Sequence, residues 1–244
     1  MAACCVIAAG CAAMLMYMGA EQKRAQLALD AASSADDRWQ SELGLPVSFS
    51  YLRSLNPDVA AWLDMPLCER GYPVMRCEGD DAKYLRRDIY SRYSSNGSLF
   101  VESLYNSASM DDDCVVIYGH NMLSGEMLGD MADAVRSRSI SGDGEENTLT
   151  LYTPDAVRSY RIVCAGEYSD GSILYAHDFS DAAEPESFFT ELRDASPQSF
   201  VHSDTVSAAH GDKLLVLSTC PRNTTDRRIL IVSVLTEKRT GGAA

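Results

Sequence analysis

Basic side chains are scarce in this sequence of 244 residues: 21 Lys and Arg stand against 35 Asp and Glu, which leaves a formal charge of −14 at pH 7. That deficit argues against a nucleic-acid-binding protein, which needs a basic surface to displace counterions from phosphates. Cysteine is also sparse, with 8 residues, too few for a disulfide-stapled fold. Internal repeats and low-complexity tracts are absent. The hydrophobic share of 46% is typical of a globular chain that buries a core.

Two kinds of cysteine site are missing as well. No Cys-x-x-Cys pair occurs, and no Cys and His residues have the spacing of zinc ligands. A thiol redox protein or a zinc protein is therefore disfavoured. Cys68 and Cys77 lie nine residues apart, and the sequence leaves open whether they pair, because the separation of their Cα atoms decides this.

The beginning of the chain is almost free of charge. Residues 2–20 are uncharged, and as a helix they nearly cover the ~30 Å core of a bilayer. We interpret residues 1–20 as a single membrane anchor; a cleaved signal peptide and a lipoprotein signal at Cys11 are the alternatives. Lys23 and Arg24 follow the segment and by the positive-inside rule favour a cytoplasmic domain. The acidic remainder fits an extracytoplasmic one, and we expect the domain on the extracellular face of the cell membrane.

The rest of the chain divides into three parts by amino-acid composition and hydrophobic pattern. Residues 21–45 are rich in helix formers and predict a juxtamembrane helix or linker. One domain follows at residues 46–237, and residues 238–244 are expected to form a flexible tail. Early in the domain, Asn56-Pro57-Asp58 before an apolar run predicts the start of a short helix.

Short apolar or alternating runs separated by turn residues dominate the domain. They predict a mainly β barrel or sandwich, with strands at 72–75, 98–101, 115–118, 148–152, 159–164, 213–218 and 229–235. Two amphipathic stretches, 127–138 and 184–195, predict helices between these strands.

Three strand boundaries carry side chains suited to acyl transfer. His120 follows one buried-type strand, Cys220 follows another, and Arg227 and Arg228 open the next. Pro221 directly after the thiol prevents a further ladder hydrogen bond, so the sulfur is expected where its strand leaves the sheet. A hairpin of about six intervening residues would bring the arginines beside the end of that strand.

These residue types match the needs of a thiol nucleophile. A nearby imidazolium or guanidinium lowers the pKa of a cysteine from about 8.5 and favours the thiolate. His120 can return a proton to a leaving amine. Arg228 can donate to a carbonyl oxygen as it becomes anionic, a contribution of roughly 3 to 4 kcal/mol in comparable sites. Singly, each is more often a structural residue, but together they favour an acyl-transfer site.

The motifs around these residues resemble the sortases, cysteine transpeptidases of the Gram-positive cell surface. In chain order they are NPDVAAWL at 56–63, YPV at 72–74, YL at 84–85, GSLF at 97–100, IYGHNM at 117–122, LSTC at 217–220 and the Arg before Ile229. The long stretch between residues 164 and 220, with its predicted helix, is similar to class B. The resemblance implies an eight-stranded sortase-type β-barrel with N-terminal helices and a helix inserted before the Cys-bearing strand, preceded by one transmembrane helix.

The same resemblance implies a function. The protein would cleave a C-terminal sorting signal of secreted proteins through a thioester on Cys220, and pass the acyl group to an amine of a peptidoglycan precursor or of a pilin lysine. His120 is implied as the general acid/base and Arg228 as the oxyanion and substrate-positioning group. The residues that match places lining the class B substrate groove are Leu85, Ser218 and Thr219. No metal or organic cofactor is implied.

Two other functions stay open at this point. One is a catalytically silent surface-interaction module built on the same barrel, and the other is a cysteine protease that uses water as the acceptor. Between the two adjacent arginines we favour Arg228, because it directly precedes the apolar residue Ile229. Strand alternation would send Arg227 to the opposite face.

Overall fold

The structure is a computed structural model that describes residues 2–34, 43–65, 68, 71–137, 147–169, 171, 173–195, 197, 200–202, 208–219 and 227–241. Its strands are β1 Val59–Asp64, β2 Tyr72–Arg76, β3 Leu99–Val101, β4 Cys114–Tyr118, β5 Thr148–Tyr152, β6 Ala156–Ser169, β7 Val201–His202, β8 Leu214–Thr219 and β9 Arg227–Thr240. Its α-helices are α1 Ala2–Ser34, α2 Phe49–Leu55, α3 Gly129–Ser137, α4 Ile173–Ala176 and α5 Glu184–Ala195, and a 3₁₀ helix spans Lys83–Arg86.

The strands close into a barrel. Their order is β5-β1-β2-β3-β4-β8-β9-β6-β7, and β5 pairs in addition with β6. That last pairing closes a ring of eight strands, and the short β7 pairs with the same edge of β6 as β5, farther along the strand. The predicted eight-stranded barrel and the inserted helix at 184–195 are therefore confirmed.

The long strands β6 and β9 extend beyond the runs predicted for them. Both contain 14 residues and pair along their whole length, so that Thr240 lies opposite Ala156. The end of β9 is polar and exposed, which is why the apolar pattern did not mark it. Residues 238–240 of the predicted flexible tail are consequently strand, and Lys238 makes an ion pair of 2.8 Å with Asp111.

One predicted helix is wrong. Asn56 ends α2 instead of starting a helix, and the run that follows it is β1, whose first five residues are all buried. Val59 and Trp62 face a cluster under α1 and α2, whereas Ala61 and Leu63 face the barrel interior. An apolar run that is buried on both faces is typical of a strand.

The core is layered by strand alternation. An inner cluster, to which all eight strands of the ring contribute, includes Ile117, Leu217 and Ile231. An outer cluster lies between α5 and the opposite face of β4, β8, β9 and β6, and it includes Val116, Val216 and Leu230. Because the two clusters take alternate residues of β4, β8 and β9, the face on which a residue of these three strands lies can be read from its number.

The helix α1 runs without interruption through the predicted anchor and into the predicted linker, as far as Ser34. Its last turns pack on the domain through Ala28 and Ala32, which are buried with Leu45 and Phe49. Within the part of the chain that the structure describes, no helix is both long and apolar enough to cross a membrane. The anchor at residues 1–20 is not confirmed and stays a prediction.

Candidate active site

The site lies where three neighbouring strands end or begin. β4 and β8 are parallel, with Tyr118 opposite Ser218, and the Gly119 amide donates to the Ser218 oxygen at 3.2 Å. Parallel strands end at the same edge of a sheet, so the residues that follow β4 and β8 leave that edge together. His120 is the second residue after β4. Cys220 follows Thr219 in the sequence and lies outside the described residues, as does Pro221.

The third strand brings the arginines to this edge. β9 runs antiparallel to β8 with Ile229 opposite Thr219, so that Arg228 is the next residue of β9 beyond the last described pair. The hairpin connection predicted from the sequence is thus confirmed in its strand pairing. β4, which leads into His120, and β9, which carries Arg228, both neighbour β8 at the end where β8 leads into Cys220.

The two arginines at the start of β9 point to opposite faces. Ile229 and Ile231 belong to the inner cluster and Leu230 to the outer one, which puts Arg228 on the outer face by alternation. Arg227 is engaged elsewhere, because its Nε lies 3.2 Å from a carboxylate oxygen of Glu167. This arrangement supports the choice of Arg228, whose catalytic role itself stays a prediction.

His120 is held by a main-chain contact. Its Nε2 lies 2.8 Å from the carbonyl oxygen of Leu85, and because a carbonyl oxygen only accepts, Nε2 is the donor. The other ring nitrogen, Nδ1, is then the one that can accept a proton. The close approach at Gly119 helps to set this turn: a Cβ there would lie 2.4 Å from Leu99, so only glycine fits without displacing a core side chain.

A buried amide fixes the turn that carries Leu85. The Nδ2 of Asn56 donates to the Tyr84 hydroxyl at 2.8 Å and to the Ile89 carbonyl oxygen at 2.9 Å. Asn56 is 3% and Tyr84 1% exposed. Buried polar groups of this kind are costly unless they are paired, so the two hydrogen bonds restrict the position of Tyr84 and of its neighbour Leu85.

An ion pair completes this support, which we call the Asn56 network (Asn56, Asp58, Lys83 and Tyr84). The Lys83 ammonium lies 2.6 Å from Asp58, and the Tyr84 hydroxyl donates to the same carboxylate at 2.7 Å. Burial works to raise the pKa of Asp58, but the hydrogen bonds from Lys83 and Tyr84 outweigh it and hold the pKa below its ordinary value. The hydrogen bond to Asp58 raises the pKa of Lys83.

The predicted groove residues differ in their exposure. Leu85 is 43% exposed and available to a ligand, whereas Ser218 and Thr219 are buried. The Thr219 hydroxyl has no hydrogen-bond partner among the described residues. The contact of all three with a peptide stays a prediction.

The sequence hypothesis missed the structural reason for two of its own motifs. Asn56-Pro57-Asp58 and Tyr84-Leu85 are separate segments of the sequence, yet the side chains of Asn56, Asp58 and Tyr84 form one network, and the main-chain oxygen of the next residue, Leu85, contacts His120. A buried-type Asn before a strand was the available signal, because an amide inside an apolar stretch must find partners.

Among the described residues, neither the cysteines nor the metal-binding side chain types form a second reactive or metal-binding site. Cys68 and Cys77 are both free thiols, so the disulfide left open by the sequence is not formed. Cys114 and Cys164 are buried in the outer cluster, and burial raises the pKa of both thiols. Across those ranges no three His, Cys, Asp or Glu side chains are grouped to hold a metal ion.

Comparison with known proteins finds a likeness to sortase B. No protein-family model matches the chain. Sortase B of Listeria monocytogenes is 26% identical over 172 residues, which are 69% of this chain and 65% of that protein. The chain thus spans about 65% of the length of the curated relative that it matches.

Solved structures show the fold. The sortase B–substrate complex of Staphylococcus aureus has a TM-score of 0.70 at 20% identity, covering 90% of this chain and 99% of that one. A class B sortase of Streptococcus pyogenes involved in pilus biogenesis has a TM-score of 0.61 at 23% identity, covering 78% and 98%. The resemblance to class B sortases is confirmed, and the chain has their fold.

Proposed function

We propose that the protein is a cysteine transpeptidase of the sortase type, which cleaves a C-terminal sorting signal of secreted proteins and transfers the acyl group to an amine. The observation that carries the proposal is the strand register. His120 and Arg228 flank the end of β8, where Thr219 leads directly into Cys220. The likeness to sortase B supports the reaction class.

The reaction divides into two acyl transfers. The thiolate of Cys220 attacks the carbonyl carbon of the sorting signal, and the oxygen becomes anionic in a tetrahedral intermediate. Arg228 donates hydrogen bonds to that oxygen. The C–N bond then breaks as His120 gives its proton to the leaving amine, which leaves a thioester. An acceptor amine attacks the thioester, loses a proton to His120, and releases the thiolate with a new amide bond.

The hydrogen bond at Leu85 assigns a task to each nitrogen of His120. With Nε2–H directed at the Leu85 oxygen, the proton exchanged with substrate is the one on Nδ1. The main-chain contact thereby fixes the ring orientation, as the orienting group of a catalytic triad does. Position 85 is also a candidate substrate contact through its exposed side chain, and Ser218 and Thr219 complete the proposed groove.

Partners and location follow from the same proposal. The clients are secreted proteins with a C-terminal sorting signal, and the acceptor is a peptidoglycan precursor or a pilin lysine. The S. pyogenes protein is described as involved in pilus biogenesis, and this description supports a pilin lysine as the alternative acceptor. Residues 1–20 would anchor the protein in the cell membrane through lipid contacts, with the catalytic domain on the extracellular face.

Trapping the acyl-enzyme tests the proposal. The full chain is incubated with a library of peptides carrying Asn-Pro-x-Thr or Leu-Pro-x-Thr-Gly motifs, and intact mass is followed with and without added amines such as pentaglycine or a lysine peptide. We expect an adduct on Cys220 that is absent in Cys220→Ala and is discharged to an amide product by amine. Release of the peptide only as a free carboxylic acid, at a rate that added amine does not change, would indicate a protease. A chain that forms no adduct with any peptide would be the silent interaction module.

A further inference from the structure

A tyrosine lies directly opposite Arg228 in the sheet. The register of β6 and β9 pairs Tyr168 with Arg228, and directly opposed residues of antiparallel strands share a face, with Cβ atoms about 4.5–5.5 Å apart. That face is the outer one, because Tyr168 packs in the outer cluster with Leu230. The ring of Tyr168 is therefore a neighbour of the arginine that is proposed to stabilise the oxyanion.

Tyr168 is the end of a second polar network, the His177 network (Tyr168, His177, Glu184 and Glu191). The Tyr168 hydroxyl donates to Glu191 and lies 3.1 Å from Nε2 of His177. The Nδ1 of His177 lies 2.6 Å from Glu184, and the His177 side chain is only 6% exposed. Glu184 and Glu191 both belong to α5, so the network ties the inserted helix to β6.

Aromatic packing holds the same residues from the apolar side. The ring of Phe188 lies 4.9 Å from that of His177 and 5.9 Å from that of Tyr168, centroid to centroid, and both contacts are edge to face. Burial, and then the hydrogen bond and charge of Glu191, raise the pKa of Tyr168, so its hydroxyl keeps the proton that it donates. The tyrosine is thus fixed both at its ring and at its hydroxyl.

We propose that Tyr168, held by the rest of the His177 network, is a positioning residue for Arg228. The inference deepens the proposed function, because it rests on the role of that arginine. An arginine side chain has many rotamers to lose, and a rigid ring beside its stem removes conformers that point the guanidinium away from the strand end. The network thereby favours the conformers in which Arg228 meets the substrate oxygen.

The order of the arginine side chain tests this role without any substrate. In the ¹⁵N-labelled full chain, relaxation of the Arg228 Nε–Hε pair reports its motion on the picosecond-to-nanosecond timescale. We expect the order parameter to fall in Tyr168→Phe, which removes the hydroxyl and keeps the ring, and in His177→Gln, which cuts the network without touching the ring. The matched control is Tyr160→Phe, a buried tyrosine of β6 that lies opposite Leu235 and faces the inner cluster; it should leave Arg228 unchanged.

Kinetics give the second readout. With a peptide that the wild-type protein cleaves, we expect kcat per active site to fall about tenfold in Tyr168→Phe while KM stays within about twofold, because the lost interaction acts in the transition state. A purely structural role would lower the folded fraction and leave kcat of the folded enzyme unchanged. An unaltered Arg228 order parameter in both network variants would overturn the inference. A wild-type protein that cleaves no peptide would instead refute the proposed function, and the relaxation data would still decide the positioning role.

Discussion

The two polar networks flank the central strands β4, β8 and β9 on either side in strand order, and they reach the site by different routes. The Asn56 network, on the side of β1 and β2, holds the residue before Leu85, whose carbonyl oxygen accepts a hydrogen bond from His120. The His177 network, on the side of β6, ends in a side chain that shares a sheet face with Arg228. A hydrogen bond fixes both direction and distance, whereas a packing neighbour only excludes alternatives. We therefore expect the histidine to be positioned more tightly than the arginine.

The largest effects should come from the proposed nucleophile and the proposed proton donor, the second of which the Asn56 network supports through Leu85. Cys220→Ala and His120→Ala should each lower kcat/KM by about a thousandfold or more, because neither the proposed nucleophile nor the proposed proton donor has a substitute. Peptide cleavage and intact mass are the measurements. Substantial cleavage by His120→Ala would show that His120 is not the proton donor and that its hydrogen bond to Leu85 does not serve catalysis.

The choice between the adjacent arginines carries the next largest effect. Arg228→Lys should lose about a hundredfold in kcat, because an ammonium cannot reproduce the planar donor pair at the oxyanion. Arg227→Lys is the matched control, since Arg227 pairs with Glu167 on the other face, and it should remain within a few fold of wild type. The reverse pattern would show that Arg227 holds the role.

Removing the central amide of the Asn56 network tests its contribution to stability. Asn56→Ala should lower the free energy of unfolding by about 2 kcal/mol, because the buried Tyr84 hydroxyl and Ile89 oxygen lose a donor. Asn96→Ala is the control: the Asn96 side chain makes only weak polar contacts, accepting from the Ser95 hydroxyl at 3.2 Å and donating to Glu126 at 3.4 Å, and their loss should cost under about 0.5 kcal/mol. Equal values from denaturant titration would mean that the amide does not hold the turn.

The smallest expected effect is a pH dependence within the same network. The pKa of Asp58 lies below its ordinary value of 3.8 in the folded protein, so the charged carboxylate stabilises the fold fully above that value. The contribution is lost as the pH falls through the folded pKa. Asp58→Asn should therefore cost about 1 kcal/mol at pH 7, since the pair with Lys83 is partly exposed.

Denaturant titrations of both proteins at falling pH measure that difference. We expect the gap between wild type and Asp58→Asn to close on acidification below the ordinary value, because the wild-type carboxylate then takes up a proton. A gap that stays constant to low pH would show that the carboxylate contributes by shape alone. A gap that widens would contradict the assigned direction of the pKa.

The spacing of apolar residues was sufficient to predict helices with one apolar face and strands in which buried and exposed residues alternate. The helix at 184–195 and the strand at 148–152 have the predicted bounds, because their periods of burial are regular. The same reasoning gave a wrong prediction for the hydrophobic run after Asn56. Its cap-like residues are typical of a helix start, but β1 is buried on both faces and paired with β2 and β5, which overrides that local preference.

The sequence was sufficient to predict the residue types of the candidate site and their place at strand ends, since each lies next to an apolar run. It was not sufficient to predict the two polar networks that hold these residues. Nothing in the sequence marks His177, because its partners, Tyr168, Glu184 and Glu191, have no characteristic spacing, and only the docking of α5 on β6 brings them together. The pairing of Tyr168 with Arg228 spans 60 positions and depends on the register of two long strands.

The most direct test of the central claim is a crystal structure of the full chain with a sorting-signal peptide mimic joined to Cys220 as a disulfide. We predict that the sulfur emerges on the sheet face that carries Arg228. The guanidinium should lie at hydrogen-bond distance, about 3 Å, from the carbonyl oxygen next to the linkage, with the His120 ring on the leaving-group side. A structure in which Arg227 makes that contact, or in which the His120 ring and the Arg228 guanidinium lie on different faces from the sulfur, would contradict it.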